Sequence, residues 1–141
     1  MKLLLDTDVL IDVALDRAPF ADPAEALLNE LDARPGTAFL AWHSVANFYY
    51  IVSSEKSRED VLAFIRELAT VAETAPTGHR DLLYALSLDL PDFEDAMQVA
   101  AAVACKADWI VTRRARHYRK SPVKAIPPDE LLSRLGWTDA P

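Results

Sequence analysis

Three aspartates are placed where carboxylates could do chemistry. Asp6 directly follows the apolar run Leu3-Leu4-Leu5, and Asp92 and Asp95 lie three apart at the start of a helical stretch, which sets them on one face of its first turn. Carboxylates gathered at one edge repel each other. A hard divalent cation, Mg²⁺ or Mn²⁺, resolves that repulsion with oxygen ligands. Such an ion lowers the pKa of a bound water, aims it at a phosphodiester and offsets charge on the departing oxygen. Each acid also has a plainer reading. Asp92, after Leu90-Pro91, suits an N-cap, and Asp95 suits the third position of the same helix. Asp8 is expected to cap a helix over 8–16. Asp6, ending a buried strand, has no capping duty in this reading.

The elements that must position these acids follow from local pattern. Residues 2–5 predict a short buried strand delivering Asp6 to its C-terminal edge. Asp22-Pro23-Ala24-Glu25 predicts a capped helix with Ala26, Leu27, Leu28 and Leu31 as its buried stripe, ending near Pro35-Gly36. A strand is expected over 37–41. Ser44 then caps a helix carrying Val45, Phe48, Tyr49 and Val52, and Ser57 starts another with Val61, Leu62, Ile65, Leu68 and Ala69 repeating at three and four residues. A strand over 71–75, helices over 78–88 and 91–106, strands at 109–111 and 123–126, and a helix opened by Pro128-Asp129-Glu130 complete the order. Short strands alternating with helices predict an α/β fold, a parallel sheet covered on both faces with right-handed crossovers. Its ligand site is expected beyond the C-terminal strand ends, where strand order reverses.

Length and composition bound the rest. At 141 residues and 51% hydrophobic, the chain suits one domain spanning 1–141. No apolar run reaches the ~20 residues needed to span a bilayer, and Asp6 interrupts the start too early for a signal-peptide core, so a soluble cytoplasmic protein is expected. Cys105 is alone, which excludes an internal disulfide, and it reads as a small buried apolar group. The net charge is −7, yet residues 113–124 hold six of the fifteen basic residues and no acid, leaving nine bases against twenty-two acids elsewhere. That +6 segment is either a solvated loop or a phosphate grip.

The opening Leu4-Leu5-Asp6-Thr7-Asp8-Val9-Leu10-Ile11-Asp12, the segment Asp92-Phe93-Glu94-Asp95-Ala96-Met97-Gln98, and Trp109-Ile110-Val111-Thr112-Arg113 closing on Ser121-Pro122-Val123 and Pro128-Asp129-Glu130-Leu131-Leu132 together resemble the PIN-domain family. The resemblance runs in order from Lys2 to about Leu135. It implies a three-layer α/β/α sandwich around a short parallel sheet, and Mg²⁺- or Mn²⁺-dependent ribonuclease activity. It also implies VapC-type toxins neutralised by an antitoxin, and frequent homodimers. Residue by residue, Asp6 matches the first metal-binding acid of the family, Asp95 a later one and Asp92 an accessory acid. The second family acid falls at Asn47, which can ligate through its carbonyl oxygen but carries no charge. The position after the late strand, usually Asn or Asp, is Arg114, which cannot ligate a metal but could hold a phosphate. His117 stands where a carboxylate would be unremarkable.

Set beside that pattern, Arg113, Arg114, Arg116, Arg119 and Lys120 are the expected RNA contacts. His117 and Tyr118 could stack on bases, move protons or form ordinary loop surface. His43 and His79 lack partners at metal-ligand spacing and read as structural. Trp42 with Phe48-Tyr49-Tyr50 is either core or an apolar face for a dimer mate or antitoxin. By resemblance, antitoxin tails often insert an Arg into such sites, and a net acidic protein suits a basic tail. Two other functions compete: a catalytically weakened PIN domain that binds RNA or a protein, suggested by Asn47 and Arg114, and a haloacid-dehalogenase-like phosphatase using Asp6-Thr7-Asp8. The last lacks the expected Thr or Val at Leu10 and any downstream Gly-Asp motif.

Overall fold

The computed structural model describes residues 1–137; the C-terminal end of the expected domain, 138–141, lies outside them. Five parallel three-residue strands form one sheet: β1 (Leu3–Leu5), β2 (Ala38–Leu40), β3 (Ala72–Thr74), β4 (Trp109–Val111) and β5 (Lys124–Ile126), in the order β3-β2-β1-β4-β5. β1 is central, pairing Leu4 with Phe39 on one side and with Ile110 on the other. The chain steps outward from β1 through β2 to β3, then returns to the opposite side of β1 as β4. Strand order therefore reverses at the β1/β4 boundary, where a parallel sheet opens a crevice.

The helices among the described residues are α1 (Thr7–Ala14), α2 (Ala21–Asp32), α3 (Trp42–Val52), α4 (Arg58–Val71), α5 (His79–Ser87), α6 (Phe93–Ala104) and α7 (Pro128–Leu135), with a 3₁₀ turn over Ala115–Tyr118. Alternation along β1 decides which layer each residue serves. Leu3 and Leu5 pack with Val9, Leu10, Leu27, Leu31, Phe48, Val61, Leu68 and Leu131, from α1, α2, α3, α4 and α7. Leu4 faces the other way, onto Val99 and Ala102 of α6 with Phe39 and Ile110. α5 packs outside α6 through Ala85, Ala96 and Ala100. The small residues of α6 let it lie close to the sheet, and the α/β sandwich is the one expected. No helix of the described residues is long and apolar enough to cross a membrane.

Several local expectations are corrected. Asp6, not Asp8, is the N-cap of α1, its Oδ1 accepting from the Thr7 N–H at 2.7 Å. α1 ends at Ala14, and Asp16 follows with a positive φ of 50°. The cap of α2 is Phe20 with no side-chain bond, so Asp22 lies inside the first turn. Ala24 rather than Ala26 is buried. Ser44 does not cap α3, which begins at Trp42; its hydroxyl is buried and bonds across to α1 and α6. Ser57 does cap α4, accepting from the Asp60 N–H, and Gly136 ends α7 in the left-handed region at φ 68°. Cys105 is buried, as expected.

Candidate active site

The C-terminal ends of β1 and β4 leave the sheet side by side. The Asp6 N–H donates to the Val111 carbonyl at 2.9 Å, and the Thr112 N–H donates to Ile126. This holds Asp6 and Thr112, both fully buried, against each other: Thr112 Oγ1 lies 2.9 Å from Asp6 Oδ2 and 3.2 Å from Asp8 Oδ2. Asp8 sits on α1, one residue past the start, and also accepts from the Arg113 N–H.

α6 supplies the third acid. Asp92 caps it, its Oδ1 accepting from the Asp95 N–H at 3.1 Å, and the turn so begun sends the buried Asp95 carboxylate toward β1. Tyr118, from the 3₁₀ turn, places its hydroxyl 3.0 Å from Asp6 Oδ2 and 3.1 Å from Asp95 Oδ1. Sequence separations of 112 and 23 residues thus close on one oxygen. Each hydroxyl owns one proton, so Thr112 and Tyr118 cannot donate to all three carboxylate oxygens they touch, Asp6 Oδ2, Asp8 Oδ2 and Asp95 Oδ1. The two hydroxyls are therefore a proton short for those acids when ionised. Asp8 Oδ1 and Gln98 Oε1 are buried with no hydrogen-bond partner among the described residues.

The charge follows the geometry. Burial, then the nearby Glu94 charge, raises the Asp6 carboxyl, opposed by Thr112, Arg114 and Tyr118. Burial likewise raises Asp95. Asp8 is pushed up to about 6, first by burial and then by Asp6. Tyr118 is raised by burial and then by the Asp6 and Asp95 charges, which keeps its hydroxyl a donor. Burial also works against Glu94, but a 3.1 Å contact to His43 Nε2 and the charge behind it outweigh burial and lower its carboxyl.

Because Asp8 titrates near 6 in the folded protein and near 3.8 unfolded, the folded state holds more protons between those values. Stability is therefore highest below the window and falls as pH rises through it. The metal-free protein is expected to be about 1 kcal/mol more stable at pH 5 than at pH 8 from this group. Urea midpoints in chelator check this; a midpoint that climbs steadily from pH 5 to pH 8 contradicts it.

Gln98, on α6, ties these parts together. It is fully buried, and its Nε2 lies 2.6 Å from Ser44 Oγ, 3.2 Å from Asp6 Oδ1, 3.3 Å from Glu94 Oε1 and 3.4 Å from Thr7 Oγ1. α1, α3 and α6 meet there. Gln98→Leu keeps the volume but removes the donor, leaving a buried carboxylate and a hydroxyl short of a partner. A loss of about 2–3 kcal/mol is expected in urea unfolding at pH 7; a loss below about 0.5 kcal/mol contradicts this role.

Asp6 and Asp95 meet as expected, and Asp92 positions Asp95 through its cap. Oxygens of Asp92, Glu94 and Asp95 also lie within 4.8 Å of one another. Asn47 is less central, its Nδ2 reaching only Glu94 Oε1, at 3.4 Å. The basic segment divides. Arg113 is committed inward, its Nε 2.6 Å and Nη2 3.2 Å from the two Asp12 oxygens and its guanidinium stacked on Phe20 at 4.1 Å. Arg114 turns into the acidic site, Nη2 3.1 Å from Asp95 Oδ1 and 3.6 Å from Asp6 Oδ2, Nε 3.5 Å from Asp8 Oδ2. Arg116, Arg119 and Lys120 stay exposed, lining with His117 and Asp95 a cleft of about 370 Å³. His117 Nδ1 is 3.8 Å from Asp95 Oδ2.

Local pattern points to neither Glu94 nor Gln98, assigns Asp8 to a cap, and does not foretell the inward turn of Arg114. His43, structural in that reading, bonds Glu94. The one available signal was Asp8 following Asp6 at spacing two, which a helix start brings to the same crevice.

The donor set is all oxygen, short of protons, and includes an orphaned buried oxygen on Asp8. Oxygens of this kind suit a hard divalent cation: those of Asp92, Glu94 and Asp95 lie within 4.8 Å of one another, and Asp6 and Asp8 join Asp95 through Tyr118, Thr112 and Arg114. The sequence matches the family PIN domain over residues 2–115, and the chain belongs to that family. No curated protein matches it significantly in sequence. Its fold is similar to that of VapBC2 from Rickettsia felis, solved bound to a promoter DNA fragment, at 17% identity over 90% of this chain and 98% of the other, TM-score 0.72. It is similar also to Mycobacterium tuberculosis VapC20, described as a sarcin-ricin loop cleaving toxin, at 14% identity over 99% and 98%, TM-score 0.63. FitAcB from Neisseria gonorrhoeae is a third, at 17% identity over 89% and 97%, TM-score 0.58.

Proposed function

We propose that this PIN domain is a divalent-cation-dependent endoribonuclease, the toxin of a toxin–antitoxin pair, hydrolysing RNA phosphodiesters in the cytoplasm as a single domain over 1–141. The carrying observation is the convergence of Asp6, Asp8 and Asp95 where strand order reverses, around too few proton donors. Asp6, Asp8 and Asp95 would hold Mg²⁺ or Mn²⁺. When bound, the cation lowers the pKa of a water and offsets charge on the leaving oxygen. Asp92 fixes the start of α6 and so aims Asp95, while Asn47 steadies Glu94 beside Gln98. Thr112 and Tyr118 orient the carboxylate oxygens. The exposed Arg116, Arg119 and Lys120 hold the RNA backbone across the cleft beside Asp95.

The partners follow from the surface. Trp42 and Tyr50 are 72% and 76% exposed on α3, and Leu82, Leu83 and Leu86 are exposed on α5. Apolar faces of this kind suit an antitoxin or a second copy. The net charge of −7 favours an antitoxin with a basic tail, and the VapBC2 and FitAcB likenesses support that partner class.

A second reading has a specific observation behind it: Arg114 lies among the acids and Asn47 lacks charge, as in a weakened PIN domain that binds RNA or protein without cleaving. Cleavage of a structured RNA in Mn²⁺ by the purified protein, set beside its Asp6→Asn variant, separates the two. Cleavage that the variant loses supports the nuclease. No cleavage by either, or cleavage the variant retains, overturns it.

A further inference from the structure

We infer that Arg114 is an internal counter-cation: its guanidinium takes the position among Asp6, Asp8 and Asp95 that a divalent ion would need, and it must leave for the ion to enter. This rests on the cation-site reading above and adds a residue that sets how tightly the ion is held.

Two neighbouring arginines make the contrast. Arg113 meets Asp12 with two bonds from one guanidinium, at 2.6 and 3.2 Å, and its guanidinium carbon sits over the Phe20 ring, 4.1 Å from the centroid. That is the forked, stacked geometry in which arginine binds most firmly. Arg114 has no such match. It makes one hydrogen bond, to Asp95 at 3.1 Å, and spreads its charge over Asp6 and Asp8 at 3.6 and 3.5 Å. Its side chain is 37% exposed, so a rotation about its own bonds carries the head to water without moving the backbone. Arg113 is an anchor, and Arg114 is a removable plug.

Space decides why both cations do not stay. The guanidinium lies within 3.6 Å of one oxygen on each of the three carboxylates, and a divalent ion would take those same oxygens as ligands. An ion seated there also repels a guanidinium a few ångströms away. Entry of the ion and exit of Arg114 are therefore one exchange. The guanidinium so released stands on the same stretch as Arg116, Arg119 and Lys120, on the side from which a phosphate backbone would approach. RNA binding and cation binding should accordingly favour each other, since each favours Arg114 outside the acids.

The test reads Mn²⁺ binding directly, by the electron paramagnetic resonance signal of free Mn²⁺ and by calorimetry, without RNA. Arg114→Asn is expected to bind Mn²⁺ at least about tenfold tighter than the unaltered protein, the equivalent of ~1.4 kcal/mol. Arg114→Lys, which keeps a charge on a flexible stem, is expected to fall between them. Adding Asp6→Asn to Arg114→Asn should abolish the gain. If Arg114→Asn does not fold, Arg114→Gln removes the charge while retaining a donor for Asp95 and carries the same expectation. Equal affinity in the unaltered and charge-removed proteins overturns the inference, and so does a gain that survives Asp6→Asn. The affinity gain without RNA cleavage by any variant upholds this role and overturns the nuclease. Cleavage without the gain does the reverse.

Discussion

Asp6→Asn is expected to lower Mn²⁺-supported RNA cleavage by about 3–4 kcal/mol of activation free energy, a factor of several hundred. The substitution is nearly isosteric and removes one negative charge from a fully buried position. The partners of Asp6 survive it: Thr7 N–H still meets an oxygen, while the Thr112 and Tyr118 hydroxyls can turn to accept from the new amide. Burial and Glu94 already press against the charge of Asp6, so removing it should leave the metal-free fold at least as stable to urea at pH 7. A large loss of cleavage with no loss of stability is the signature of an acid kept for its ligand. A collapse of both together would place Asp6 among the structural caps and remove the argument for a cation there.

Phe48→Ala is expected to show the opposite signature, a stability loss of about 3–5 kcal/mol in urea unfolding. Phe48 is almost wholly buried in the layer under Leu3 and Leu5 and stacks on Phe64, ring centroids 5.0 Å apart. It lies on α3 one turn beyond Ser44, whose hydroxyl reaches Thr7 and Gln98. Truncating Phe48 therefore both opens a cavity and frees the helix that braces the acidic site from one side. Cleavage should fall less than in Asp6→Asn at temperatures where the variant remains folded. A cost below about 1 kcal/mol would mean that α3 is held mainly by its polar contacts to α1 and α6.

The two variants separate a distinction that runs through the molecule. Buried polar groups here are costly to keep: Asp6, Asp95, Gln98 and Thr112 occupy interior positions that leucine or valine would fill with less penalty. They cluster at the one place where strand order reverses, and Arg114 already brings a positive charge to Asp6, Asp8 and Asp95 there.

The sequence by itself determined the local features, because their causes lie within a few residues. The apolar run 3–5 followed by an acid, the Ser57 and Asp92 caps bonding three residues ahead, and the proline opening α7 are all short-range physics, and the structure bears them out. The order of alternating elements then constrained the sheet to parallel pairing and the meeting of residues 6 and 95. Only the tertiary structure decided which polar groups share the interior. Thr112 and Asp6 are 106 residues apart, Gln98 and Ser44 54 apart, and no periodicity links them. Asp8 is not the cap because α1 begins at Thr7, which puts Asp6 in the capping position and Asp8 in the first turn, where its carboxylate meets Thr112 and the Arg113 N–H. Arg113 and Arg114 look alike on paper, yet one stacks on Phe20 and the other turns among three carboxylates, because successive side chains leaving a strand end point in different directions.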